Sequence, residues 1–151
     1  MKKVLVIFHS QQYGNTAQCA ELVKQGLEAA GAIQVRLINT NEANRVPMAD
    51  ILAADGLAIG TPDYFSYPAG TIKQLFDDLL EAYRQDKPVY KRPCALFLTH
   101  GGGGRALEPF KRLAKDFQLV GEPFVCRGEP GDCAPGFVAL GKQLGEVVLK
   151  G

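Results

Sequence analysis

"VLVIFHSQQYGNTAQCAE", residues 4–21, passes from a continuous apolar run into a polar loop and then into a helical pattern. An apolar run of this length without alternation suits a strand buried on both faces, which is the habit of parallel sheets. The loop Ser10-Gln11-Gln12-Tyr13-Gly14-Asn15-Thr16 is dense in hydroxyls and amides and holds no lysine or arginine. It opens a helix whose first-turn N–H groups are free and whose N-terminus is partially positive. That suffices for a phosphate dianion without a cationic side chain. The plainer reading is N-capping by Asn15 or Thr16. A Walker A loop needs Gly-Lys-Ser/Thr where this chain has Gly14-Asn15-Thr16, so the loop suits one terminal phosphate and not a triphosphate with magnesium.

The pattern recurs outward from this stretch. Apolar runs stand at Val4–Phe8, Ile33–Ile38, Gly56–Ile59, Ala95–Leu98 and Phe124–Cys126. Between and after them lie helical periodicities: Ala17, Ala20, Val23, Leu27; Ile72, Leu75, Phe76, Leu79, Leu80, Tyr83; Leu107, Phe110, Leu113, Phe117; and Phe137, Leu140, Leu144, Val147. "MADILAAD" allows one further short helix. This predicts an α/β fold, a doubly wound five-stranded parallel sheet, as a single domain over residues 1–151. The alternating run Ile33–Leu37 suits an edge, and Pro123, which lacks the ladder donor, places the fifth run at the other edge. The strand order is then 2-1-3-4-5, with its reversal between strands 1 and 3. Ligands bind outside the carboxyl ends of the strands at such a point, so the loops after strands 1, 3 and 4 carry the chemistry.

The loop after strand 3, "GTPDYFSYPAG" at 60–70, crowds Tyr64, Phe65 and Tyr67 into four positions, with a helix expected from Ser66 or Tyr67 and Pro68. These rings either pack down on the domain or present their faces to a flat ligand, and three together at the switch point favour a planar heteroaromatic one. The loop after strand 4, Thr99-His100-Gly101-Gly102-Gly103-Gly104-Arg105, has four successive glycines, costly in chain entropy and useful where amides must approach a ligand closely. Gly101, Gly103 and Ala106 also spell a dinucleotide fingerprint, but it stands before the last strand and not at the first of a nucleotide-binding half.

With these motifs the chain resembles the flavodoxin-like family of FMN proteins over essentially its whole length. "GNTAQCAE", "GTPDYFSYPAGTIKQLFDDL" and "THGGGG" carry the resemblance. The family's phosphate loop reads Ser/Thr-x-Thr-Gly-Asn-Thr; here Gly14-Asn15-Thr16 match directly, Ser10 stands one residue further out and Tyr13 replaces the threonine. The resemblance implies FMN as cofactor, with contacts from Ser10, Gln11, Gln12, Tyr13, Gly14, Asn15 and Thr16. Further contacts are implied from Thr61, Pro62, Asp63, Tyr64 and Phe65, and from Thr99, His100, Gly101, Gly102 and Gly103. Typical electron-transfer flavodoxins are strongly acidic. This chain has 17 basic against 16 acidic residues, with His100 and Arg105 expected beside the ring and Asp63 and Asp132 as the nearby loop acids.

An electron carrier is the first expectation, serving a redox partner protein or a small electron donor or acceptor. The alternative is an NAD(P)H-dependent FMN or quinone oxidoreductase, and the third a noncatalytic flavin-binding module. A receiver domain needs paired acids after strand 1, where His9-Ser10 stands. A tyrosine phosphatase needs a cysteine opening the loop, whereas Cys19 falls inside the helix.

The near-zero net charge excludes a nucleic-acid footprint, and no apolar stretch reaches membrane-spanning length. "MKKVLVIF" has too short an apolar run for a signal peptide, so a cytoplasmic protein is expected, monomeric or weakly homo-oligomeric. No metal-ligand spacing occurs among the four cysteines; Cys19 and Cys94 read as small core residues. Cys126 and Cys133 flank a Gly/Pro loop that can bring them together, and they read as a free, reduced pair.

Overall fold

The computed structural model describes residues 1–11, 13–43 and 45–151. Strands β1 (Lys2–Phe8), β2 (Ile33–Asn39), β3 (Gly56–Tyr64) and β5 (Pro93–His100) form a parallel sheet in the order β2-β1-β3-β5. Beyond β5 lie two short strands, β6 (Gln118–Leu119) and β7 (Phe124–Arg127), pairing with its start and its end respectively. β3 already occupies one side of β5, so both share the other side. The expected order of the five apolar runs holds, with the fifth position split in two. Pro123 lies in the gap and has no N–H to offer a ladder.

Alternation along β1 builds the two faces. Val4, Val6 and Phe8 pack with Cys19, Val23 and Leu27 of α1 (Asn15–Ala30) and with Phe137, Leu140 and Leu144 of α6 (Ala134–Lys150). Leu5 and Ile7 point the other way, toward Ile72, Leu75, Phe76 and Leu79 of α4 (Gly70–Arg84) and Phe110 of α5 (Leu107–Leu113). Each fully buried leucine or phenylalanine contributes about 1.5–3 kcal/mol. Two shorter helices, α2 (Thr40–Ala43) and α3 (Met48–Ala53), connect β2 to β3.

Two backbones approach too closely for side chains between α1 and α6. A Cβ on Gly26 would stand 1.9 Å from the Val138 carbonyl oxygen, and one on Gly141 would stand 2.0 Å from that of Val23. This contact fixes α1 against the sheet, and with it the loop at its N-terminus.

Three local expectations are corrected. The stretch 60–70 is not a plain loop: β3 runs on through Tyr64 and turns back into β4 (Tyr67–Pro68), pairing Asp63 with Pro68 and Tyr64 with Tyr67. The helix after it begins at Gly70, not at 66 or 67, because those residues are held in the hairpin. Leu80 and Tyr83 share the helical periodicity but are 42% and 58% exposed, since the sheet covers a narrower stripe of α4. Tyr83 instead rests edge-on against Tyr90, and Tyr90 against Phe117, which lies beyond the end of α5. Among the described residues no helix is long and apolar enough to cross a membrane.

Candidate functional site

The carboxyl ends of β1, β3 and β5 open into a cleft of about 300 Å³. Its first wall is the loop into α1. Gly14, with φ of 66°, is the N-cap residue, and its left-handed backbone turns the chain into the helix. No side chain at the cap position bonds the first turn, so neither Asn15 nor Thr16 caps the helix. The task falls to Ser10, whose Oγ accepts the Ala17 N–H at 3.2 Å. Asn39, the last residue of β2, clamps Ser10 on both sides. Its Oδ1 accepts the Ser10 N–H at 3.0 Å and its Nδ2 donates to the Ser10 carbonyl at 3.1 Å.

Ser10, Gln11, Tyr13, Gly14, Asn15 and Thr16 all line the cleft, while Gln12 lies outside the described residues. Tyr13 stands at the rim, 80% exposed. Thr16 is buried, and its hydroxyl meets that of Thr99 at 2.9 Å. The amides of Asn15 and Thr16 have no partner among the described residues, and α1 has no acidic residue in its first turn. A sixteen-residue helix dipole therefore ends in donors that are unpartnered among the described residues, with no acidic side chain in the first turn to compensate it.

The second wall is the hairpin. Pro62, Asp63 and Tyr64 line the cleft. Thr61 is fully buried behind them, its Oγ1 accepting the Ala69 N–H at 2.9 Å. Asp63 accepts from Ser66 N–H at 2.8 Å and from Ala106 N–H at 3.1 Å, so its charge faces two amides and ties the hairpin to the loop after β5. Phe65 and Ser66, at the turn, have φ of 56° and 66°, the sense of a type I′ turn but without glycine. Phe65 points wholly into solvent and does not line the cleft.

The third wall is Thr99, His100 and Gly101; Gly102, Gly103 and Arg105 lie outside the lining, with Arg105 exposed. Nδ1 of His100 is buried without a partner among the described residues. Such an atom costs about 1–3 kcal/mol, which a polar group on a ligand can offset. Gly128, after β7, completes the lining and escaped the sequence reading.

Below the cleft sits His9, also missed, 5% exposed at the end of β1. Its Nδ1 lies 2.6 Å from Thr71 Oγ1, which lies 2.7 Å from Thr40 Oγ1. Its ring meets Tyr64 edge-on at 5.6 Å. Burial pushes the His9 pKa below its ordinary value and the Tyr64 pKa above its own, so both stay neutral near pH 7.

The cleft thus offers amide and hydroxyl donors for an anion at one end, with aromatic and polar surface from Tyr64 and His100 lining the remainder. Among the described residues no cluster of His, Cys, Asp and Glu is placed to hold a metal ion.

The chain is similar to several known proteins. A flavodoxin of Aquifex aeolicus is 41% identical over 80 residues, which is 53% of this chain and 41% of that protein. The type A flavoprotein fprA of Rhodobacter capsulatus is 29% identical over 107 residues, 70% of this chain and 23% of that protein. The matched region therefore spans less than half the length of either of these curated relatives. A solved archaeal flavodoxin superimposes with a TM-score of 0.80 at 21% identity, covering 97% of this chain and 99% of that one. The profile of NADPH-dependent FMN reductases matches residues 2–125. That match begins in β1, reaches β7 and takes in all three walls read from the sequence, and by it the chain belongs to the NADPH-dependent FMN reductase family.

Proposed function

We propose that this chain binds FMN in the cleft and works as an electron carrier between redox partners. The observation that supports it most is the loop from Ser10 to Thr16, with helix-start amides that have no partner among the described residues and no cationic side chain. That donor set suits a single phosphate dianion, and the orphaned Nδ1 of His100 suits a polar edge of a flavin ring. The residues present therefore fit the cofactor.

FMN, when bound, supplies reversible electron transfer. The rest is done by the chain. Asn15 and Thr16 hold the phosphate through their amides, while Ser10 and Asn39 keep the loop in shape. Tyr64 and His100 border the ring, and the Asp63 bridge holds their two walls together. No carboxylate in the cleft lacks amide partners, so the charge around the ring is set by the helix dipole and not by an acidic rim. Partners are redox proteins or small electron donors and acceptors. Residues 1–151 act as one flavodoxin-like domain, in the cytoplasm, as a monomer or a weak homo-oligomer.

A second reading, an NAD(P)H-dependent FMN or quinone oxidoreductase, is favoured by the family to which the chain belongs. One experiment addresses both. Purified protein should show a flavin absorption spectrum or take up FMN with quenched fluorescence, with FAD and riboflavin binding far less well. A protein that ignores FMN refutes both readings. Rapid NADPH oxidation by the loaded protein with a small quinone acceptor, and no partner protein, selects the reductase; slow oxidation selects the carrier.

A further inference from the structure

Two cysteines beside the cleft have no part in holding the cofactor, and the fold brings them together. Cys126, in β7, is 2% exposed, and its Sγ donates to the Glu129 carbonyl at 3.3 Å and lies 3.8 Å from the Pro130 oxygen. Cys133 closes a short 3-10 turn at the N-terminal boundary of α6, and its amide donates to that same Pro130 oxygen at 2.6 Å. The two residues thus converge on one carbonyl group across the turn Arg127–Asp132. Both pack into the apolar cluster beneath α1, with Cys133 half-exposed at its border. Both thiols are free.

We propose that Cys126 and Cys133 are a modification site, a reversible disulfide formed by hydrogen peroxide across the turn that carries Gly128 of the cleft wall. The asymmetry in exposure sets the order of events. The Cys133 sulfur attacks one peroxide oxygen, the O–O bond breaks, and the departing hydroxide leaves as water with the thiol proton. Cys133 then carries a sulfenic acid. The Cys126 sulfur attacks the Cys133 sulfur, the S–O bond breaks, and a second water leaves with the proton of Cys126. Two thiols have lost two electrons and one peroxide has become two waters. An external dithiol reverses the change.

The remaining thiols fit this assignment. Burial, then the contact with Cys133, pushes the Cys126 thiol up to about 12, so it stays protonated and unreactive toward dissolved oxidant until Cys133 is activated. Cys19 belongs to the same cluster but is fully buried inside α1, and Cys94 belongs to the opposite face of the sheet. Cys19 lies near enough to Cys126 and Cys133 to interact with both, but neither it nor Cys94 is exposed to dissolved oxidant.

The test uses the reduced full-length chain, hydrogen peroxide, alkylation of the remaining thiols and peptide mapping. Trypsin cuts after Arg127 and so separates the two cysteines into peptides 116–127 and 128–142. We expect two of the four thiols to resist alkylation after peroxide and those two peptides to be joined, with dithiothreitol restoring both. Cys126→Ser should stop at a sulfenic acid on Cys133 that dimedone captures, and Cys19→Ser should form the bond as wild type does. Four alkylatable thiols after peroxide, a bond from Cys133 to Cys19, or irreversible over-oxidation of Cys133 in wild type would each overturn the proposal. The wild-type map decides even where a variant folds poorly.

Discussion

The hydroxyl of Thr16 lies 2.9 Å from that of Thr99, with both residues buried, so the first turn of α1 is bonded to the end of β5. Thr16 matches the phosphate loop of flavodoxin-like proteins, but here its side chain also holds the two walls of the cleft together. A buried hydroxyl stripped of its partner costs about 1–3 kcal/mol. Thr16→Val and Thr99→Val should each lower stability by about that amount, whereas the double variant should lose less than the sum. Urea unfolding of the four proteins measures the coupling. Strict additivity would show that the two hydroxyls do not depend on one another.

Asn15 is the first residue of α1 and lines the cleft, and no acid stands in that turn. Asn15→Asp should therefore act in opposite directions on the empty and the loaded protein. A carboxylate at a helix N-terminus stabilises the empty fold by about 0.3–1 kcal/mol. The same charge repels a phosphate, and a loss of about 1.4 kcal/mol is already tenfold in affinity. FMN should bind at least about tenfold more weakly while riboflavin binding stays unchanged. Equal losses for both ligands would place the phosphate elsewhere.

The sheet was legible because β1 and β5 are apolar without alternation and Pro123 marks an edge. The turn into α1 was legible because Gly14 stands where the chain must turn left-handed into a helix. The supports of the loop leading into it were not. Asn39 ends an edge strand, and nothing in its neighbours distinguishes a clamp from a solvated amide. His9 follows a buried strand, where burial and exposure are equally compatible with the pattern. The hairpin was hidden for a physical reason: Phe65 and Ser66 both adopt positive φ, which sterics disfavour for such residues, so turn chemistry points away from it. Strain of that kind collects at functional sites, and this turn borders the cleft.

Gly141 packs against α1 with no room for a methyl group. Gly141→Ala must push α6 and α1 apart or distort a backbone, and over-packing of a core costs about 1–3 kcal/mol or more. The α1 N-terminus moves with its helix, so FMN affinity should fall as well, although position 141 is remote from the cleft. Gly70→Ala is the control: it lies at the start of α4 with nothing within 4 Å of a new Cβ. It should raise stability by about 0.4–1 kcal/mol through the unfolded chain. Thermal unfolding and FMN titration of both variants check the pair, and a stable Gly141→Ala with wild-type affinity would refute the coupling.

His9 gives the fold a pH dependence whose sign follows from its bonds. The Phe8 carbonyl can only accept, and Thr40 donates to it at 3.2 Å. Thr71 then donates to Thr40, and the Nδ1–H of His9 donates to Thr71. The proton of neutral His9 is therefore on Nδ1, and Nε2 is buried with no partner among the described residues. Protonation would place a second N–H there, facing no acceptor, which is why burial holds the folded pKa below the ordinary 6.5. Between the two values the unfolded chain binds more protons than the folded one, so stability rises with pH in that window. It is fully present above 6.5, declines as pH falls below it, and levels off once the folded imidazole also charges. His9→Gln keeps a donor for Thr71 and cannot titrate. Urea midpoints followed from about pH 7.5 to about pH 5 should fall more steeply for wild type than for the variant. Parallel profiles would mean that His9 takes up its proton as readily folded as unfolded, and the buried Nε2 would then have an acceptor.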